Sequence, residues 1–140
     1  MRNPDTTPFR TTGRVVSGLG RGAEFLRLAW VLEELRRKLD LIPFPGTLNL
    51  SVEPAAREAL FVRRASFLRI ADPAEPACPG YLQRLTLRAN GQICRSAYLI
   101  LPELTMYKDV LEVIAPQNLL QALGLQDGDP VEIEIEEFSI

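Results

Sequence analysis

Tyr81-Leu82-Gln83-Arg84-Leu85-Thr86-Leu87-Arg88-Ala89-Asn90-Gly91-Gln92-Ile93-Cys94-Arg95-Ser96-Ala97-Tyr98-Leu99-Ile100-Leu101 decides the fold class. Asn90-Gly91 stands at its centre. Asn-Gly is the favoured two-residue hairpin turn, because both positions take positive φ. Leu82, Leu85 and Leu87 supply apolar residues to one arm, and Ile93, Ala97, Leu99 and Leu101 to the other. The stretch predicts antiparallel strands over 81–89 and 92–101.

Working outward, residues 72–80 hold Pro73, Pro76 and Pro79 and read as a loop, with a strand before it over 66–71. Residues 53–65 fit either a helical turn or the start of a strand. Residues 47–52 alternate, with Thr47, Asn49 and Ser51 on one face and Leu48, Leu50 and Val52 on the other. Pro43 and Pro45 end an amphipathic helix over 26–38, whose apolar face carries Leu28, Val31 or Leu32, Leu35 and Leu39. Residues 13–18 form a strand running into a glycine loop. Residues 1–12 show no apolar period and read as a flexible arm. Downstream, 107–114 fits a short helix or an extended link, and 116–123 a helix with Pro116 near its start and Gly124 at its end. Asp127-Gly128-Asp129 is a tight turn, and 131–135 alternates as a closing strand. About six strands outnumber two or three short helices, without a βαβ rhythm. The expected class is mostly β, a compact barrel with peripheral helices, in a single domain over 13–137.

Composition bounds the function. The chain has 140 residues and a net charge of −2, which speaks against a nucleic-acid binder driven by phosphate contacts. No apolar run spans a bilayer and no secretory leader is visible, so a cytoplasmic protein is expected. Cys78 and Cys94 have the spacing of neither a redox motif nor a zinc pair. Free thiols are the simplest reading, with a bridge left open. Histidine is absent, which excludes a Ser-His-Asp triad, a Cys-His pair and His-ligated zinc. Catalysis must use carboxylates, hydroxyls, amides, Lys or Arg, backbone dipoles or a bound metal.

Four places could carry such chemistry. Gly18-Leu19-Gly20-Arg21-Gly22-Ala23 follows a strand, and its glycines allow backbone N–H groups to turn toward an anion. It is neither a Walker loop nor a complete dinucleotide fingerprint, and an unliganded strand-end turn fits it equally. Thr47 and Asn49 offer hard, uncharged oxygens suited to Mg²⁺ on one face of a strand. An ion there would arrive with nucleotide phosphates, whereas a solvent-facing strand explains the same residues. Glu112 is a carboxylate among apolar neighbours, either a partner for a substrate hydroxyl or the exposed face of a short helix. Pro116-Gln117-Asn118-Leu119 opens a helix, which suits phosphate or plain capping.

The order of these segments resembles one family. Val15-Val16-Ser17-Gly18-Leu19-Gly20, Pro45-Gly46-Thr47-Leu48-Asn49-Leu50, Glu112-Val113-Ile114-Ala115-Pro116-Gln117-Asn118-Leu119 and Leu125-Gln126-Asp127-Gly128-Asp129 are similar to blocks of the archaeal-type CTP-dependent riboflavin kinases. The resemblance runs from about Gly13 to Glu136. It implies a six-stranded cradle-loop β-barrel and transfer of the γ-phosphate of CTP to the ribityl hydroxyl of riboflavin, giving FMN and CDP. By resemblance, Thr47 and Asn49 are the Mg²⁺ ligands, and Asn49 and Glu112 are catalytic. Glu112 and Thr105 meet the flavin. Leu19, Gly20, Arg21, Gly22, Ala23 and Glu24 contact the nucleotide, as do Gln117, Asn118, Leu119 and Leu120.

The chain departs from the family at two points: Arg21 stands where a glutamate is usual, and Leu120 where a basic residue is common. The helical DNA-binding domain that precedes some relatives is not expected here. The expected partners are CTP or CDP and riboflavin or FMN, with no nucleic acid and no membrane. The rival expectations are a non-catalytic nucleotide- or flavin-binding module on the same barrel, and a barrel-type DNA-binding regulator.

Overall fold

A computed structural model of the chain describes residues 6–17, 24–103 and 108–139. The strands are β1 (Thr6–Val16), β2 (Leu48–Ser51), β3 (Leu68–Asp72), β4 (Glu75–Ala89), β5 (Gln92–Pro102), β6 (Val110–Ile114) and β7 (Pro130–Ser139). The helices are α1 (Ala29–Leu39), α2 (Pro54–Phe61) and α3 (Leu119–Ala122), with a 3₁₀ turn over Arg64–Ser66.

The sheet is antiparallel and closes on itself. Its order is β3-β4-β5-β6-β2-β1-β7, and β7 also pairs with β4. The long β4 makes this possible. Its first part pairs with β3 through Gly80, Tyr81 and Leu82, and its last part pairs with β7 through Thr86, Leu87 and Arg88. Six strands therefore form a ring, β4-β5-β6-β2-β1-β7, with β3 appended. A sheet closed in this way leaves its ring strands no free edge. The mostly β class, the six-stranded ring and the short helices all agree with the sequence reading.

The ring is filled by alternate residues of each strand. Leu48, Leu50, Leu87, Leu99, Leu111, Val113 and Ile133 are all buried in one cluster. A second cluster lies on the outer face, where Val31 and Leu35 of α1 pack on Ile70, Leu82, Ile100 and Ile114. At Gly13 the wall is so tight that an added Cβ would stand 2.9 Å from the Leu50 Cβ.

Several local expectations are corrected. Thr6–Val16 is one strand, so residues 6–12 are paired with β7 and are not a free arm. Pro8 falls in the register break between Thr7 and Phe9, where a missing N–H is tolerated. Likewise, Glu75–Ala89 is continuous although Pro76 and Pro79 lie within it. Both prolines fall where the pairing with β3 is irregular. Val110–Ile114 is a strand because β2 and β5 pair with its two edges.

α1 buries Val31, Glu34 and Leu35 and leaves Leu28 and Leu32 exposed, so its inner stripe is rotated from the expected one. Glu34 is accommodated by Lys38 at 3.0 Å, by Arg37, and by the Ala71 N–H at 3.5 Å. The ambiguous stretch 53–65 is helical, started by Pro54 in its first turn. Both cysteines are free thiols, Cys78 exposed and Cys94 buried.

Candidate active site

Asn49 faces Glu112 across β2 and β6. The pairing extends as a transverse row: Leu68 opposite Leu82, Leu82 opposite Ile100, Ile100 opposite Glu112, Glu112 opposite Asn49, and Asn49 opposite Val16. Direct cross-strand partners share a face. Leu48, Leu50, Leu111 and Val113 turn into the ring, so this row lies on its outer face. Asn49 is 9% exposed and Glu112 is 7% exposed. Neither is the solvent-facing residue that ordinary strand alternation or an exposed helix face would give. Two buried polar side chains side by side within an apolar row are costly, since burial strips them of water.

Thr47 adjoins the pair. Its hydroxyl Oγ1 donates to Asn49 Oδ1 at 3.3 Å. Adjacent oxygens around an octahedral Mg²⁺ stand about 3.0 Å apart, given metal–oxygen distances of about 2.1 Å. The two oxygens thus fit neighbouring positions on one ion after a small closure. They carry no charge. Among the described residues no group of three or more His, Cys, Asp or Glu could hold a metal. The donor set suits an ion that brings anionic ligands with it.

On one side of Thr47 a cavity of about 190 Å³ opens between Phe44, Thr47, Ala115 and the segment Gln117, Asn118, Leu119, Leu120. Two motif blocks distant in sequence meet here, joined by the Phe44 N–H to Ala115 carbonyl bond at 2.8 Å. Gly46 lets the Phe44 ring lie close, 3.3 Å from where a Cβ would be. The cavity is smaller than the ~300–1,000 Å³ of a whole small-molecule site, so it has room for only part of a ligand of that size. Asn118 caps α3, its Oδ1 accepting from Leu120 N at 3.1 Å and Gln121 N at 3.4 Å. Those two N–H groups are therefore already used, which is the plain capping alternative.

The fourth block supports the root of the glycine segment. Gly128, with φ of +87°, donates from its N–H to the Val15 carbonyl at 2.8 Å. Ser17 Oγ meets Asp127 Oδ2 at 2.7 Å. Glu24 is described and exposed. Leu19, Gly20, Arg21, Gly22, Ala23 and Thr105 lie outside the described residues.

A family model described as "Domain of unknown function DUF120", named CTP-dep_RFKase, matches residues 15–135. Riboflavin kinases of archaea align with nearly the whole chain. That of Pyrobaculum arsenaticum is 35% identical over 96% of this chain and 64% of its own length. That of Pyrobaculum islandicum is 38% identical over 91% and 60%. That of Methanopyrus kandleri is 32% identical over 93% and 85%. The chain belongs to the CTP-dependent riboflavin kinase family. It spans about three fifths of the Pyrobaculum relatives' length, 64% and 60%.

Within this family member, one buried charge that sequence reasoning passed over interacts electrostatically with Glu112. Arg57 of α2 is 6% exposed, and its Nε has no hydrogen-bond partner among the described residues. Its guanidinium lies 5.3 Å from the Phe61 ring centre. Burial pulls Arg57 below its usual pKa, while the carboxylates of Glu58 and Glu112 favour its charge. The available signal was the spacing of Arg57, Leu60 and Phe61, which puts the arginine on the buried side of a helix. Next to it, Arg64 donates to Glu103 at 3.1 Å and lies 4.1 Å from the Phe61 ring centre. That hydrogen bond holds Glu103 below the usual carboxylate range, against the opposing effect of burial. No helix among the described residues is long and apolar enough to cross a membrane.

Proposed function

We propose that this protein is a riboflavin kinase that takes its phosphate from CTP. The observation that carries the reading is the buried Asn49–Glu112 pair, with Thr47 hydrogen-bonded to Asn49 and bordering a cavity. The names of the relatives supply the substrate, riboflavin, and the name of the family supplies the donor.

In this reading the terminal ribityl hydroxyl attacks the γ-phosphorus, a new P–O bond forms, the bond to the β-phosphate oxygen breaks, and CDP leaves. Phosphoryl transfer asks the protein mainly for alignment and charge stabilisation. Glu112 orients the hydroxyl and accepts its proton as the bond forms. Its burial excludes water that would otherwise compete for the phosphoryl group. Thr47 and Asn49 would hold Mg²⁺, which would offset the charge of the nucleotide phosphates. Asn49 and Glu112 share one row, and that sheet register supports a reading in which metal side and acceptor side adjoin. The segment from Gln117 to Leu120 borders the nucleotide side.

The test is incubation with riboflavin, Mg²⁺ and each nucleoside triphosphate in turn, with FMN read by chromatography. FMN with CTP supports the proposal. Measurable nucleotide binding without FMN from any donor supports a non-catalytic module instead. Leu120 favours that second reading, because it places an apolar side chain at the cavity where a cation would help phosphate.

A further inference from the structure

The β4–β5 turn reaches across to α3. Asn90, with φ of +52°, heads the hairpin turn, and Gly91 follows at +73°. The Asn90 side-chain amide donates to two carbonyls at the C-terminal end of α3, Leu123 at 2.8 Å and Gly124 at 2.9 Å. Both are good neutral hydrogen bonds by distance. The same hairpin meets the segment ahead of α3 through Gln117 Nε2, 3.6 Å from Cys94 Sγ.

α3 needs such ties. It has four residues, fewer than a helix needs to hold itself in water. Leu119 and Leu123 anchor it in the main core, at 5% and 2% exposure. Two buried leucines fix its depth. Its rotation about its own axis is set at the ends, by Asn118 at the start and by Asn90 at the finish. The first turn of the same helix lines the cavity beside Thr47 with Asn118, Leu119 and Leu120.

We propose that Asn90 is a positioning residue for the nucleotide: it acts through α3, holding the cavity wall in register with Thr47. The inference rests on the kinase reading above. Asn90 touches no substrate in this account, and its whole effect passes through the Leu123 and Gly124 carbonyls.

Two variants separate the amide from the turn. Asn90→Gly keeps a turn-competent residue, since Gly-Gly also makes this turn, and adds no charge. Asn90→Asp keeps the shape and the turn preference but cannot donate. Full-length wild type and both variants are titrated with CTP and Mg²⁺, and separately with riboflavin. Amide hydrogen exchange is followed at Ala122, Leu123 and Gly124. The expected result is CTP binding weakened by about five- to thirty-fold in both variants, the factor carried by one or two neutral hydrogen bonds. Riboflavin binding stays within about two-fold, and the α3 amides exchange faster while those of β4 and β5 do not. Unchanged CTP affinity in both variants overturns the inference and leaves the kinase reading standing. So does a parallel loss of CTP and riboflavin binding with exchange faster throughout. A wild-type protein that binds no nucleotide overturns the kinase reading and this inference together.

Discussion

Asn49 on β2 and Glu112 on β6 are direct cross-strand partners, and both are buried within a row whose other members are leucine, isoleucine and valine. A pair of apolar side chains would suit that position better, since each buried polar group must recover the hydrogen bonds it gave up to water. Retaining an amide and a carboxylate there is a local departure from what stability alone would select. Such departures concentrate where a protein does its chemistry.

Asn49→Ala removes one of the proposed Mg²⁺ oxygens and the acceptor of the Thr47 hydroxyl. FMN formation should fall by at least about 10²-fold, the scale of losing a positioned electrostatic group. Unfolding free energy should change by no more than about 1 kcal/mol, the net worth of a typical hydrogen bond. Parallel activity and denaturant-melt measurements check both halves.

Glu112→Gln keeps the size of the side chain and removes its ability to take a proton. The expected loss is about 10²- to 10⁴-fold in kcat, the usual contribution of a positioned base. Riboflavin KM should change little, because the amide still meets the hydroxyl. Steady-state kinetics with riboflavin varied would expose a ground-state role, in which KM rises and kcat holds.

Leu120 is 41% exposed and borders the cavity. Leu120→Lys places a cation beside the proposed phosphates. Nucleotide KM should fall by about two- to five-fold, the range of an exposed ion pair. The gain should shrink between about 0.05 and 0.5 M salt as screening increases. An unaltered KM at low salt would remove Leu120 from the nucleotide side.

Glu134 lies on the far side of the ring, hydrogen-bonded to Arg10 and, at 3.3 Å, to Arg88. The Arg10 bond holds its carboxyl below the usual range, the Arg88 bond adds to this, and burial works against both. A depressed folded pKa gives stability that is present above the unfolded value, near 4.3, and lost as pH falls through the folded one. Glu134→Gln should therefore flatten the fall of Tm below about pH 5. Thermal melts at stepped pH would show it; identical slopes would mean that the two arginines add nothing.

The hairpin of β4 and β5 could be read from Asn90-Gly91 because a turn preference is local. What misled the reading ahead of Tyr81 was proline, taken as a loop signal at Pro76 and Pro79, although both fall where the sheet register is irregular. No local pattern reports that irregularity, since it depends on the partner strand. The stripe of α1 was misjudged for a similar reason. Leu28 and Leu32 satisfy helical spacing, yet β3 meets the face carrying Val31, Glu34 and Leu35. Thr47, Asn49 and Glu112 stood out by residue type. Their adjacency is a long-range property of the ring, with Asn49 and Glu112 brought together only by the β2–β6 register. Arg57 drew no notice, because an arginine in an alanine-rich helix usually lies in water. Its spacing from Leu60 and Phe61 was the one hint that it lies on the buried face of α2.

The most direct measurement is a structure of the protein with Mg²⁺, a non-hydrolysable CTP analogue and riboflavin. The expected result is a divalent ion bound through the Thr47 and Asn49 side-chain oxygens, and the terminal ribityl hydroxyl hydrogen-bonded to Glu112. Both ligands bound elsewhere, with no ion between Thr47 and Asn49 and Glu112 out of reach of the flavin, would contradict it.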